Sequence, residues 1–215
     1  MKSTIIKTGF IALMILSLTG CFGTLGSKPD DTIAEEPQFF YVIDVDRGLK
    51  EHDKSKGKVL YLAPVKVTSQ FAAKNLVFKV GNNAFQPQPD HEFFDTPEEM
   101  FTTQLQRWLQ KTGLFHAVIL DNTQAADLTL DTAVTGLYGV KMADYRPQAI
   151  IEMQFFMTDN HATTDEVIFQ TGLQIDIDIA ETTPANVVTG WKIGFKKLLS
   201  TLEDDLSGYF SDTTP

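Results

Sequence analysis

Ala149-Ile150-Ile151-Glu152-Met153-Gln154-Phe155-Phe156-Met157 decides the fold class. Counting in twos from Ala149 gives Ile151, Met153, Phe155 and Met157, all apolar, with Glu152 and Gln154 between them. Successive side chains of a strand point to opposite faces, so this spacing buries one face and leaves the other wetter, as in an antiparallel ladder. The same alternation runs through Leu128, Leu130, Val134, Tyr138 and Val140 upstream, and through Leu173, Ile175, Ile177 and Ile179 downstream. Phe115–Leu120 adds a shorter apolar strand.

Working outward, the preceding signal is helical. Thr96-Pro97-Glu98-Glu99 is a capping box with proline at the first helical position. The spacing predicts a helix to Thr112, stopped at Gly113, with Phe101, Leu105, Trp108 and Leu109 on one face and Thr103, Gln106, Gln110 and Lys111 toward water. Before it, Leu76–Val80 and Ala84–Gln86 flank Gly81-Asn82-Asn83 and read as a hairpin. Val59–Val65 is nearly continuous apolar and suits a central strand, with Pro64 marking a bulge or its end. Phe39–Ile43 is a further strand, and the charged residues 47–57 a loop. At the far end, Val188, Trp191, Phe195, Leu198, Leu199, Leu202 and Leu206 form a helical stripe behind Thr183-Pro184. Gly190 and Gly194 interrupt it and suit close approach to a sheet. The order implies an α/β chain of the α+β kind: a single domain with one mixed, largely antiparallel sheet and two main helices packed against it.

The N-terminus carries a different message. Lys2 and Lys7 precede an apolar run from Gly9 to Leu18, which is about half the roughly 20 residues needed to span a bilayer. Leu18-Thr19-Gly20-Cys21 follows, and Cys21 is the chain's one cysteine. This is a secretory signal ending in a lipobox. It implies cleavage after Gly20 and acylation of Cys21, with the membrane as a partner through that lipid. Each buried methylene contributes about 0.8 kcal/mol, so several chains anchor stably where one does not. Phe22 stands where Asp would hold a lipoprotein at the inner membrane of a two-membrane cell, so the expected location is the outer membrane, facing the periplasm. The expected organisation is a signal peptide at 1–20, lipidated cysteine and tether at 21–38, a folded domain at 39–210, and a tail at 211–215.

Removing Lys2 and Lys7 leaves 16 basic against 28 acidic residues, a formal charge of −12. That charge disfavours nucleic acid as a partner. No internal disulfide can form in the mature domain, so its stability must come from a core, to which 16 Phe and two Trp contribute.

The domain resembles the ABC-type transport auxiliary lipoproteins, the family that includes the PqiC-type lipoproteins. The residues that carry the resemblance come in order: Leu62-Ala63-Pro64-Val65, Asn75-Leu76-Val77-Phe78-Lys79-Val80, Phe94-Asp95-Thr96-Pro97, Gly113-Leu114-Phe115-His116-Ala117-Val118, Ala126-Asp127-Leu128-Thr129-Leu130 and Gln148-Ala149-Ile150-Ile151. They cover roughly residues 39–210. Departures are Phe94 in place of a usual tryptophan, a longer polar segment over 86–92, and glycines in the final helix. The resemblance implies a non-enzymatic auxiliary component of an ABC/MCE-type lipid transport system, with an MCE protein and ABC transporter subunits as partners. Assembly into a homo-oligomer is left open. A rival reading is an outer-membrane lipoprotein that regulates envelope or cell-wall assembly. The 17 residues between Cys21 and Phe39 span at most about 60 Å, which favours work close to the membrane.

Catalytic motifs are not found. His52, His91, His116 and His161 show no metal-ligand spacing, and neither a Gly-x-Ser-x-Gly elbow nor a phosphate-binding loop occurs. Neither a metal nor a cofactor is expected. Asp176 and Asp178, two apart on a strand, read as a solvated face continued by Gln174. His91–Asp95 reads as a polar loop with aromatic anchors. Tyr145 and Arg146 in the loop 142–147 are the candidate partner contacts, since both types are enriched at interfaces.

Overall fold

The computed structural model describes residues 37–49, 57–164 and 166–212, all within one of the chain's two structural units, Glu36–Pro215. Leu18, Thr19, Gly20 and Cys21 lie outside the described residues. In chain order the elements are β1 (Phe39–Tyr41), β2 (Val59–Leu62), β3 (Lys66–Val67), β4 (Asn75–Gly81), β5 (Ala84–Phe93), α1 (Pro97–Gln110), β6 (Ala117–Ile119), β7 (Leu128–Val140), β8 (Gln148–Asp159), β9 (Val167–Asp178) and α2 (Pro184–Asp212). The strands form one mixed sheet, and both helices pack on the same core.

β7 is the axis of the sheet. One edge pairs antiparallel with β8 along its whole length, and β8 pairs antiparallel with β9. The other edge is shared by three short parallel partners in turn: β2 at Leu128–Leu130, β3 at Ala133–Val134 and β4 at Gly139–Val140. β6 extends the sheet beyond β2, and β5 followed by β1 extends it beyond β4. The long ladders are thus antiparallel and the short ones mostly parallel.

Pro64 explains why the stretch Val59–Val67 is not one strand. The Ala63 N–H still reaches Leu130 O at 3.1 Å, but Pro64 has no N–H, and pairing resumes only at Lys66. β1 ends at Tyr41, two residues short of the sequence expectation. Beyond it the backbone donors turn to α1: Ile43 N–H points at Met100 Sδ (3.4 Å) and Val45 N–H donates to Gln104 Oε1 (3.1 Å). The segment behaves as a strap across α1, with Ile43 and Val45 buried beneath it. The hairpin forms as expected around Asn82-Asn83, with Gly81 opposite Ala84. β5, however, runs on to Phe93. His91 and Glu92 are therefore strand residues, not a loop, because β1 pairs with them along the other edge of β5.

α1 carries the capping box. Thr96 Oγ1 accepts from the Glu99 N–H (3.3 Å), and the Glu99 carboxylate accepts from the Thr96 N–H (3.2 Å). Phe101, Leu105, Trp108 and Leu109 are all buried. The helix ends at Gln110, two residues earlier than the spacing suggests, and Gly113 follows with φ of 70°. The seven-residue stripe of α2 is likewise buried, on β8 and β9. A β-carbon at Gly190 would stand 2.5 Å from Ala149 Cβ, and one at Gly194 would stand 3.1 Å from Ile151 Cγ2. The two glycines let the helix lie directly on β8. α2 continues through Ser211 and Asp212.

Candidate functional site on the outer face of the sheet

One register shift builds the site. β7 carries a bulge between Val134 and Gly136. Before it, Leu128, Leu130 and Val134 face the helices. After it, Leu137 and Gly139 stand opposite Ile151 and Ala149 and take over that face. A single extra residue reverses parity. Tyr138 and Val140, which the alternation places on the buried face, therefore belong to the face away from the helices. The structure corrects the facing of these two positions, although Val140 is buried as the alternation expects, at 7% exposed.

On that outer face a cleft of about 180 Å³ lies beneath the β7–β8 loop, lined among others by Lys79, Tyr138, Tyr145, Gln148, Ile150 and Asp176. Tyr145 is 57% exposed, at a turn closed by its N–H to Met142 O (3.2 Å). Arg146 is exposed and is not part of the cleft lining. Tyr145 and Asp176, which sequence reasoning treated separately, are brought together here. The carboxylates are hydrogen-bonded: Gln174 Nε2 donates to Asp176 Oδ1 (2.8 Å) and Gln148 Nε2 to Asp178 Oδ1 (2.9 Å). Both aspartates are exposed, as expected for a solvated face.

The cleft continues into an aromatic group that the sequence did not disclose. The rings of Phe71, Phe85 and Tyr138 meet with centroids 5.4–5.8 Å apart, and Lys79 Nζ lies 5.7 Å from the centre of the Tyr138 ring. Burial, with the Asp176 and Glu152 charges adding to it, pushes the Tyr138 phenol above its ordinary value. It remains a neutral hydroxyl able to donate. The lining thus offers an ammonium, a phenol, amides and a carboxylate around an apolar floor. That chemistry suits recognition of a mixed polar and apolar surface. The available signal for the bulge was Gly136 inside the strand pattern.

Two other polar arrangements serve architecture. Arg47 Nε donates to Glu203 Oε2 (2.7 Å), Arg47 Nη2 also bonds that carboxylate, and the Trp108 indole N–H donates to Oε2 (3.0 Å). This joins the strap, α1 and α2. His161 Nε2 lies 2.9 Å from Asp127 Oδ1, but the other Asp127 oxygen accepts the Val59 N–H (2.7 Å) and so ties the start of β2 to β7. The Val59 N–H first, and then His161, hold the Asp127 carboxyl below its ordinary value. Among the described residues, no group of three or more His, Cys, Asp or Glu is placed to hold a metal ion. No helix among them is long and apolar enough to cross a membrane.

No family model matches the chain, and no curated protein matches it in sequence. Solved structures do. The fold overlays a Xanthomonas campestris protein of the DUF330 family with a TM-score of 0.70 at 13% identity, covering 82% of this chain and 99% of that one. The fold is shared. An uncharacterized protein gives a TM-score of 0.61 at 11% identity over 80% of this chain and 99% of its own. The hypothetical protein CT253 from Chlamydia trachomatis gives 0.51 at 10% identity over 70% and 98%. Each likeness spans nearly the whole of the other chain.

Proposed function

We propose that this chain is a non-enzymatic lipoprotein, anchored to the outer membrane through Cys21, that acts as the auxiliary component of an ABC/MCE-type lipid transport system. The observation that carries the reading is the overlay on the DUF330 protein across 82% of the chain, taken with the lipobox Leu18-Thr19-Gly20-Cys21. The order of elements in the sequence implies one mixed sheet with two helices over the same span. The outer-face cleft, with Tyr145 at its lip, is the surface offered to a transporter subunit, and Arg146 adds a cation beside it.

The test has two arms. Cells grown with labelled palmitate should label the wild type, and Cys21→Ser should remain unlabelled and unprocessed. Photocrosslinkers placed at Tyr145 and Arg146 should capture an MCE protein, while one placed at exposed Val167 on β9 should not. Capture of a cell-wall synthase in its place would transfer the assignment to the regulatory lipoprotein class.

A further inference from the structure

Four of the large apolar side chains exposed among the described residues gather at the point where the chain enters the sheet. Phe39 is 48% exposed, Phe40 54%, Val42 51% and Phe94 64%. They are not loose. Phe39 stacks on His91 with centroids 5.0 Å apart and planes 13° from parallel, and the Tyr41 hydroxyl and His91 Nδ1 lie 2.9 Å apart. Phe40 meets Phe94 edge to face at 6.3 Å. The backbone beneath is fixed by the Phe94 N–H to Tyr41 O (2.9 Å), the Phe93 N–H to Lys74 O (2.7 Å) and Lys74 Nζ to Phe94 O (2.8 Å). The fold holds these rings in the open. Among the described residues β1 pairs with β5 alone, so the rings line both faces of a free sheet edge.

Chain connectivity says what covers them. Only 17 residues separate Phe39 from Cys21, at most about 60 Å of chain. The lipid therefore keeps this rim, where the tether joins the domain, within about 60 Å of a bilayer surface. Exposed aromatic side chains settle at the level of lipid headgroups, where an apolar ring and a wet edge are both accommodated. The unpaired backbone groups of β1 stay hydrated at that depth, whereas the hydrocarbon core would leave them unsatisfied.

We infer that Phe39, Phe40, Val42 and Phe94 form a second, non-covalent membrane contact that seats the β1 edge in the headgroup layer and so fixes the orientation of the domain. This rests on the lipid-anchor reading above. Seated this way, the tethered domain presents one defined end to the bilayer rather than rotating about its linker.

The native tryptophans are both buried, Trp108 at 3% and Trp191 at 0% exposed, and give a shielded background. Phe40→Trp and Phe94→Trp place single reporters in the rim, and Ile193→Trp places one on exposed α2. Each mature, lipidated full chain is reconstituted into phosphatidylcholine vesicles with brominated acyl chains. Both rim reporters should shift to the blue and lose about half or more of the added fluorescence, while the Ile193→Trp reporter should be spared. If the proteins float with the vesicles but neither rim reporter is quenched, the seating is wrong and the lipid anchor stands. Equal quenching of all three reporters rejects a specific rim. Failure to float rejects the anchor and the inference together.

Discussion

Glu203 shows how one side chain organises several elements. It is 7% exposed, accepts two bonds from Arg47 and receives the Trp108 indole N–H. A buried carboxylate is tolerated only with such partners. Trp108 therefore contributes in two separable ways. Trp108→Ala removes the ring and should cost about 3–5 kcal/mol. Trp108→Phe retains most of the packing but withdraws a donor from a buried charge, and should cost about 1–3 kcal/mol. Urea melts of both variants check the order; equal costs would mean that the hydrogen bond contributes little. The sequence marked Trp108 as buried from helical spacing alone. It gave no hint of Glu203, because the i, i+3, i+4 pattern of α2 reads a glutamate as solvent-facing. Its partner Arg47 is distant in sequence and arrives on the strap.

At the scale of elements, local signals were the legible ones. The capping box, the hairpin around Asn82-Asn83 and the three long alternating strands form where short-range chemistry puts them. The bulge in β7 has only Gly136 as a local signal, since one added residue leaves composition unchanged but reverses every later side chain. The two central glycines of α2 yield a prediction opposite in sign to helix propensity. Gly→Ala in a helix ordinarily gains about 0.5–1 kcal/mol. At Gly208 nothing lies within 4 Å of an added β-carbon, so Gly208→Ala should gain that amount. At Gly190 the added carbon would press on Ala149 Cβ at 2.5 Å, so Gly190→Ala should cost about 1–3 kcal/mol as α2 is pushed off β8. Thermal melts of the two variants should move in opposite directions. Thr96→Ala, which removes the α1 cap, should cost about 0.5–2 kcal/mol. It should also let the Glu99 carboxyl, held low chiefly by the Thr96 hydroxyl and then by the Thr96 N–H, rise toward its ordinary value of 4.5. A carboxyl titration followed by NMR would record that rise.

Across the whole molecule, the sheet is assembled from pieces that only distant contacts hold in register, which is why their order was illegible. Short strands β2, β3 and β4 share one edge of β7, and periodicity carries no information about which strand lies beside which. Some of these joins rest on carboxylates. Asp127 accepts the Val59 N–H and ties β2 to β7, while Asp44 accepts from Arg107 and Gln104 and ties the strap to α1. Both carboxyls are held below their ordinary value of 3.8, Asp127 mainly by that N–H and Asp44 mainly by Arg107. A carboxyl whose pKa is lower folded than unfolded binds its proton more readily in the unfolded chain. Its stabilising contribution is therefore complete above the unfolded value and is lost as pH falls through the folded one. Urea midpoints should accordingly hold steady from pH 7 to about 5 and fall below about pH 4. Asp127→Ala removes one of these contributions outright. It should be less stable than wild type at pH 7, and the gap should narrow as the pH drops through that window, because the wild-type carboxylate is then being neutralised as well. A gap that stayed constant from pH 7 to pH 3 would show that Asp127 holds β2 in place by shape alone and not by its charge.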